Sequence, residues 1–267
     1  MSVMIAAKSN SGLMIKSVVK ALSILDLFVS TRQPLSATAI SRETGLNFST
    51  THHLVATLRE CGYLEQDAAS RRYRLGPRAL QLALAAEDLL ELPERARPVL
   101  RELALRVRES ANIAVLDGGE VVYVGQASSP APIRMFTRIG ARAPVHCTGV
   151  GKVFLAFRPE EEAMVLASAS GYTRFTNTTI TEWQSLRQEL QRIREQGWSV
   201  DREEREEGVA CVAAPVRDAS GSVCAALSVS GPAGRILQRL GSLSSEVTRA
   251  AQRLSLDLGH GLRGMLD

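Results

Sequence analysis

From Ser17 onward apolar residues recur at helical spacing: Val18, Ala21, Leu22, Ile24, Leu25 and Phe28 predict a first helix of about four turns. Gln33-Pro34 breaks it. Ser36 then offers a cap for a second, short helix, with Leu35 before the cap and Ile40 placed to staple it, and Gly45 supplies the stop. A third helix is predicted from about Asn47 to Gly62. Thr51, Leu54, Val55, Leu58 and Cys61 share its inward face, whereas Ser49, His52, His53 and Ala56 face outward. Two short helices around a glycine turn, the second starting with hydrogen-bonding side chains, form the helix-turn-helix arrangement whose second helix enters the major groove. Residues 63–65 and 71–76 predict two short strands around a turn at 67–70. That wing carries Arg71, Arg72 and Arg74 at its base. The candidate DNA contacts are Ser36, Ser49, Thr50, His52, His53, Arg71, Arg72 and Arg74.

Beyond Pro77 the pattern predicts a linker helix over residues 78–92, with apolar Leu80, Leu82, Ala83, Leu84, Ala86, Leu89 and Leu90, ended by Pro93. A second helix is expected over 94–109. The next 150 or so residues alternate strands and helices. Strands are expected at 112–116, 121–125, 133–137, 198–201, 211–216 and 223–230, with hairpin signals at Asp117-Gly118-Gly119 and Asp218-Ala-Ser-Gly221. Helices are expected at 149–157, 159–168, 181–196 and 234–258. The fold class is therefore α+β: a winged helix-turn-helix over 14–76, a linker helix over 77–93 and a sensor-like α+β domain over 94–262.

Composition narrows the function classes. A length of 267 residues suits two domains, and 45% hydrophobic with 22% charged residues is the balance of a folded, water-soluble chain. The longest apolar runs are interrupted by charge, as by Glu87, Asp88 and Glu91, so no membrane helix is expected; no signal peptide is expected either, and a cytoplasmic location follows. Cys61, Cys147, Cys211 and Cys224 are too widely spaced for a zinc site or a disulfide framework, and no metal or cofactor is expected. The net charge of +4 is uneven: ten basic against five acidic residues precede position 81, leaving the remainder at −1. A polyanion such as DNA would be drawn to the front module.

The most informative local sequence is Gly140 to Lys152. Thr148 can cap a helix whose first amides belong to Gly149, Val150 and Gly151, so unpaired N–H groups and a positive helix end offer an anion cradle. A nucleotide P-loop is excluded: His146 stands where the Walker pattern has glycine, and Val153 where Ser or Thr follows the lysine. His146 beside Cys147 is a poor catalytic pair, because neighbours in an extended segment point to opposite sides. An enzyme with Cys147 or Cys211 as nucleophile, acting on a small carboxylate, remains the alternative to a regulator.

Several motifs in one order carry a specific resemblance. They are Arg142-x-Pro-x-His-Cys-Thr-Gly-x-Gly-Lys152, Asp201-x-Glu-Glu204, Gly208-Val-Ala-Cys211-x-Ala-x-Pro215 and Leu227-Ser-Val-Ser-Gly-Pro232, together with Ser49-Thr50-x-His52 and Gly62-Tyr63-Leu64. The chain resembles the IclR family of bacterial transcriptional regulators over nearly its whole length. The resemblance implies a winged helix, a linker helix and a GAF-like effector domain assembled as homodimers or dimers of dimers. It also implies a small organic acid as effector, bound by Met135, Gly149, Val150, Asp201, Cys211, Ser228 and Ser230, with operator double-stranded DNA as the other partner. Where family members usually carry a basic residue this chain has Phe48, and where they carry Arg it has His53.

Overall fold

The computed structural model describes residues 15–31, 33–85 and 87–260. The expected outer domain bounds at 14 and 262 lie outside them, as do Ala86 and the side chains of Ala83, Leu84, Leu89 and Leu90. The chain divides into two compact units between residues 90 and 91.

In the first unit, α1 (Lys16–Thr31), α2 (Ala37–Thr44) and α3 (Phe48–Glu60) precede the antiparallel hairpin of β1 (Leu64–Gln66) and β2 (Tyr73–Leu75). Local chemistry sets these boundaries. Ser36 Oγ accepts from Ala39 N at the start of α2, and Gly45 ends it at a φ of 70° that glycine adopts without steric penalty. Asn47 Oδ1 accepts from Thr50 N to begin α3. Ile24, Phe28, Ile40, Val55, Leu58, Leu64 and Tyr73 form one buried core, with Leu35 packed against it. Leu35 and Tyr73 exchange backbone hydrogen bonds of 2.9 and 2.8 Å, tying the segment before α2 to the wing. Cys61, expected to face inward, is exposed at the C-cap of α3, beyond the last turn that packs on the core.

The expected single linker helix ending at Pro93 is corrected. The structure has α4 (Pro77–Ala85) and then α5 (Glu87–Val107), which runs through both Pro93 and Pro98. An interior proline costs about 3 kcal/mol in a helix. Here Ala96, Val99, Leu100, Leu103, Ala104 and Val107 bury one face of α5 in the larger core, and that packing outweighs the propensity.

The second unit is built on a six-stranded antiparallel sheet. Its strands are β3 (Ser110–Asp117), β4 (Glu120–Ala127), β5 (Arg142–Pro144), β6 (Ser199–Arg202), β7 (Val209–Arg217) and β8 (Val223–Pro232), in the order β5-β4-β3-β8-β7-β6. Gly118 and Gly119, both at positive φ, close the β3–β4 hairpin. On one face lie α5, α9 (Ala233–Gln238) and α10 (Leu240–Asp257), over Ala210, Val212, Ala214 and Val216 of β7. On the other lie α6 (Gly149–Ala156), α7 (Glu160–Ala169) and α8 (Trp183–Gln196), over Cys211, Ala213 and Ala226. The side-chain period of two thus divides β7 between two cores.

Two further expectations differ. Residues 133–137 are not a strand: they pair with none of the six strands of the sheet, and the segment is tethered instead by single bonds. Ser110 Oγ donates to Met135 O at 2.6 Å, and Arg235 donates to Ile133 O at 2.9 Å. The helix expected over 234–258 is two, meeting at Arg239, whose N–H bonds Ile236 O. The short strand β5 was not expected from the sequence.

Candidate functional sites: an outward helix face and a polar cavity

On α3, Phe48, Ser49, His52 and His53 are exposed, Thr50 is half-buried and Thr51 alone of the first turns is sealed in the core. The Phe48 and His52 rings lie 6.2 Å apart, and His52 meets His53 edge-on at 6.3 Å. Arg71, at a φ of 55°, and Arg72 are exposed at the wing. Arg72 makes a long 3.4 Å bond to Pro34 O, so its charge stays available. Two candidates are less free than expected. Arg74 is ion-paired with Glu65 across the hairpin, and the Ser36 oxygen is occupied by its own helix.

In the second unit a cavity of about 380 Å³ opens between the start of α6, the ends of β6 to β8 and the segment 135–138. Met135, Gly149, Asp201, Cys211, Ser228 and Ser230 line it, which brings together six of the seven residues expected to meet an effector. Val150 does not line it. Its side chain is sealed among apolar residues, because the second position of α6 turns toward the helix–sheet core. The amide cradle is also narrower than expected, since Thr148 Oγ1 already accepts from Gly151 N at 3.2 Å. Gly149 remains at the wall, so close to β7 that a Cβ there would come within 3.0 Å of Cys211 Sγ.

The polar groups of the cavity are unevenly satisfied. Asn112 Nδ2 donates to Ser230 Oγ at 3.0 Å, but buried Asn112 Oδ1 and Ser228 Oγ find no protein oxygen or nitrogen to bond. Asp201 Oδ1 accepts from Glu204 N at 2.8 Å. Burial, and then the charge of Glu204, push the Asp201 carboxyl up to about 7. Beneath it fully buried Lys152 donates to Glu204 Oε1 at 2.5 Å and to Val200 O at 2.7 Å, with Glu189 Oε1 at 3.4 Å. Tyr123 also lines the wall, its hydroxyl held protonated by burial.

Sequence reasoning missed Asn112, Tyr123 and Arg205. Arg205 lines the cavity with its guanidinium carbon 3.9 Å over the Phe175 ring, and among the described residues no carboxylate lies within ion-pair distance. Within the acidic run 201–207 nothing distinguished this arginine from a solvated charge. Arg142, by contrast, touches the cavity but is held by Asp117 Oδ2 and Glu120 Oε2, each at 2.8 Å.

The arrangement is poorly suited to thiol chemistry. Burial pushes both Cys147 and Cys211 up to about 12, so neither is a thiolate at neutral pH. His146 has both ring nitrogens engaged, Nδ1 with Ser170 Oγ at 2.8 Å and Nε2 with Thr173 O at 3.1 Å. Among the described residues no cluster of three or more metal-ligating side chains occurs, and no helix is long and apolar enough to cross a membrane.

Residues 17–68 match the IclR helix-turn-helix domain, and residues 84–256 match the family described as the bacterial transcriptional regulator IclR C-terminal domain. The chain belongs to the IclR family. It is similar to the HTH-type transcriptional regulator XynR of Escherichia coli K12, at 36% identity over 92% of this chain and 98% of that one. It is also similar to the regulator BhcR of Paracoccus denitrificans, at 35% over 91% and 88%. Among solved structures, an IclR homologue from Microbacterium hydrocarbonoxydans complexed with 4-hydroxybenzoate superposes with a TM-score of 0.78 at 28% identity, covering 91% of this chain and 98% of that one. The IclR of Thermotoga maritima gives 0.74 at 28%, covering 92% and 100%. This IclR-family chain is a DNA-binding transcriptional regulator modulated by a small-molecule effector. Its relatives are regulators, which sets aside the enzyme alternative.

Proposed function

We propose that this IclR-family protein holds operator DNA with α3 and the wing, and that a small hydroxylated organic acid in the cavity sets its affinity. The observation that carries the effector reading is the pair of buried atoms with no partner. Leaving Asn112 Oδ1 and Ser228 Oγ unsatisfied costs about 1–3 kcal/mol each, a cost that a ligand hydroxyl can remove. Asp201 would accept a second hydroxyl or a hydrated carbonyl, while the Gly149 amide and the Arg205 guanidinium complement a carboxylate. A volume of about 380 Å³ suits a molecule of that size. The Microbacterium relative, complexed with 4-hydroxybenzoate, holds an acid with both kinds of group.

The protein would act in the cytoplasm as a homodimer or a dimer of dimers. Ile15, Val18, Leu22 and Val29 are each at least half exposed on or beside α1, at intervals of three, four and seven residues, the spacing of a seam between paired helices. Effector binding would favour one arrangement of the paired DNA-binding units over another and so change DNA affinity by population shift. A mobility-shift assay on DNA adjoining the protein's own gene, with and without hydroxy acids, tests the reading. A specific band whose midpoint moves at least fivefold with one acid is expected. A band indifferent to every acid, or no specific band at moderate salt, would refute it.

A further inference from the structure

We infer that Phe48 reads the 5-methyl group of thymine in the operator, and so determines sequence specificity at that position. The inference rests on α3 being the helix that enters the groove. Phe48 is the first residue of α3, 54% exposed, on the same outward face as Ser49, His52 and His53. Nothing in the core of its unit claims the ring. Its ring neighbour is His52, one turn along the helix at 6.2 Å. An aromatic side chain there is open to water yet can make neither an ion pair nor a hydrogen bond. In the major groove the apolar feature open to it is the thymine methyl group, which adenine, guanine and cytosine lack.

The position of the ring also separates it from the apolar seam of α1. Ile15, Val18, Leu22 and Val29 lie on or beside another helix, whereas Phe48 sits among exposed hydrogen-bonding side chains. Phe48 and His52 occupy adjacent turns of one face, so an apolar and a hydrogen-bonding group would meet neighbouring base pairs. Burying one methyl group changes affinity about fourfold, and a symmetric dimer doubles the effect in free energy, to about fifteenfold.

The test uses the full-length protein and DNA selected from a random pool by its own binding. Each thymine of the selected site is replaced in turn by deoxyuridine, which removes only the methyl group, and affinities are measured for wild type, Phe48→Ala and Phe48→Leu. Wild type should lose about fourfold per half-site at one position, Phe48→Ala should be indifferent there, and Phe48→Leu should keep part of the discrimination. Indifference of the wild type to every replacement, or undiminished sensitivity in Phe48→Ala, would overturn the inference while leaving α3 as the DNA-reading helix. Failure to select any sequence would overturn both. Sedimentation of Phe48→Ala should match wild type; a changed oligomeric state would assign the ring to a protein interface and overturn the inference.

Discussion

Replacing Asp201 by Asn should stabilise the second unit at pH 8, and by less than half as much at pH 5, in the absence of effector. The folded protein holds this carboxyl at about 7 against an ordinary value of 3.8, chiefly through burial. Between those values the folded state binds more protons than the unfolded one, so stability falls as pH rises from about 4 to 7 and stays low above that. That difference sets a ceiling of about 4 kcal/mol. Asparagine keeps the oxygen that accepts from Glu204 N and carries no charge to bury. Even half of the ceiling would separate the two melting temperatures by about 4–8 °C at pH 8, for a unit of this size. At pH 5 wild-type Asp201 is neutral in the folded state but already mostly ionised in the unfolded one, so the gap should shrink to less than half of its size at pH 8. Scanning calorimetry of both full-length proteins at the two pH values supplies the measurement. Equal gaps at pH 5 and pH 8, or a wild type favoured at pH 8, would refute the burial argument.

The remaining predictions are more local. Gly151→Ala should unfold the second unit or lower its melting temperature by more than 10 °C, because a Cβ there would overlap Val145 Cα and its carbonyl oxygen, which are backbone and cannot yield. Thermal melts and soluble yield measure it. Arg72→Ala should weaken binding to all duplexes and flatten the salt dependence by about one unit of slope, since its exposed guanidinium offers a phosphate contact. His53→Ala should instead narrow the ratio between selected and random DNA, read by competition in the same assay.

Much of the first unit was legible because its signals are local. Ser36, Gly45 and Asn47 determine helix ends within four residues of themselves, and no distant partner overrides them. Cys61 was misplaced because periodicity was carried one residue past the helix it described. In the second unit the strands buried on both faces, β7 and β8, were visible as small apolar runs. The start of α6 was visible from Thr148. What escaped was set by tertiary contacts. Pro93 fails to end α5 because the sheet-facing stripe holds the helix together, and residues 133–137 are pinned by Ser110 and Arg235 from far away in sequence. Asn112 looked like an ordinary strand residue until its pairing opposite Ser228 placed it at the cavity. Val150 was expected in the cradle through its amide, whereas helical rotation turns its side chain into the helix–sheet core and leaves it off the cavity wall.

Lys152 gives the cavity floor a property that none of its parts has alone. One ammonium group without water contact joins α6 to the carbonyl of Val200, the carboxylate of Glu204 and the carboxylate of Glu189 on α8. Displacing any of these pieces would strand a charge in an apolar interior, a penalty of several kcal/mol. The helix that begins at Gly149 and the end of β6 that carries Asp201 are therefore coupled like two jaws on a single pin, and a molecule that presses on one would move the other with it.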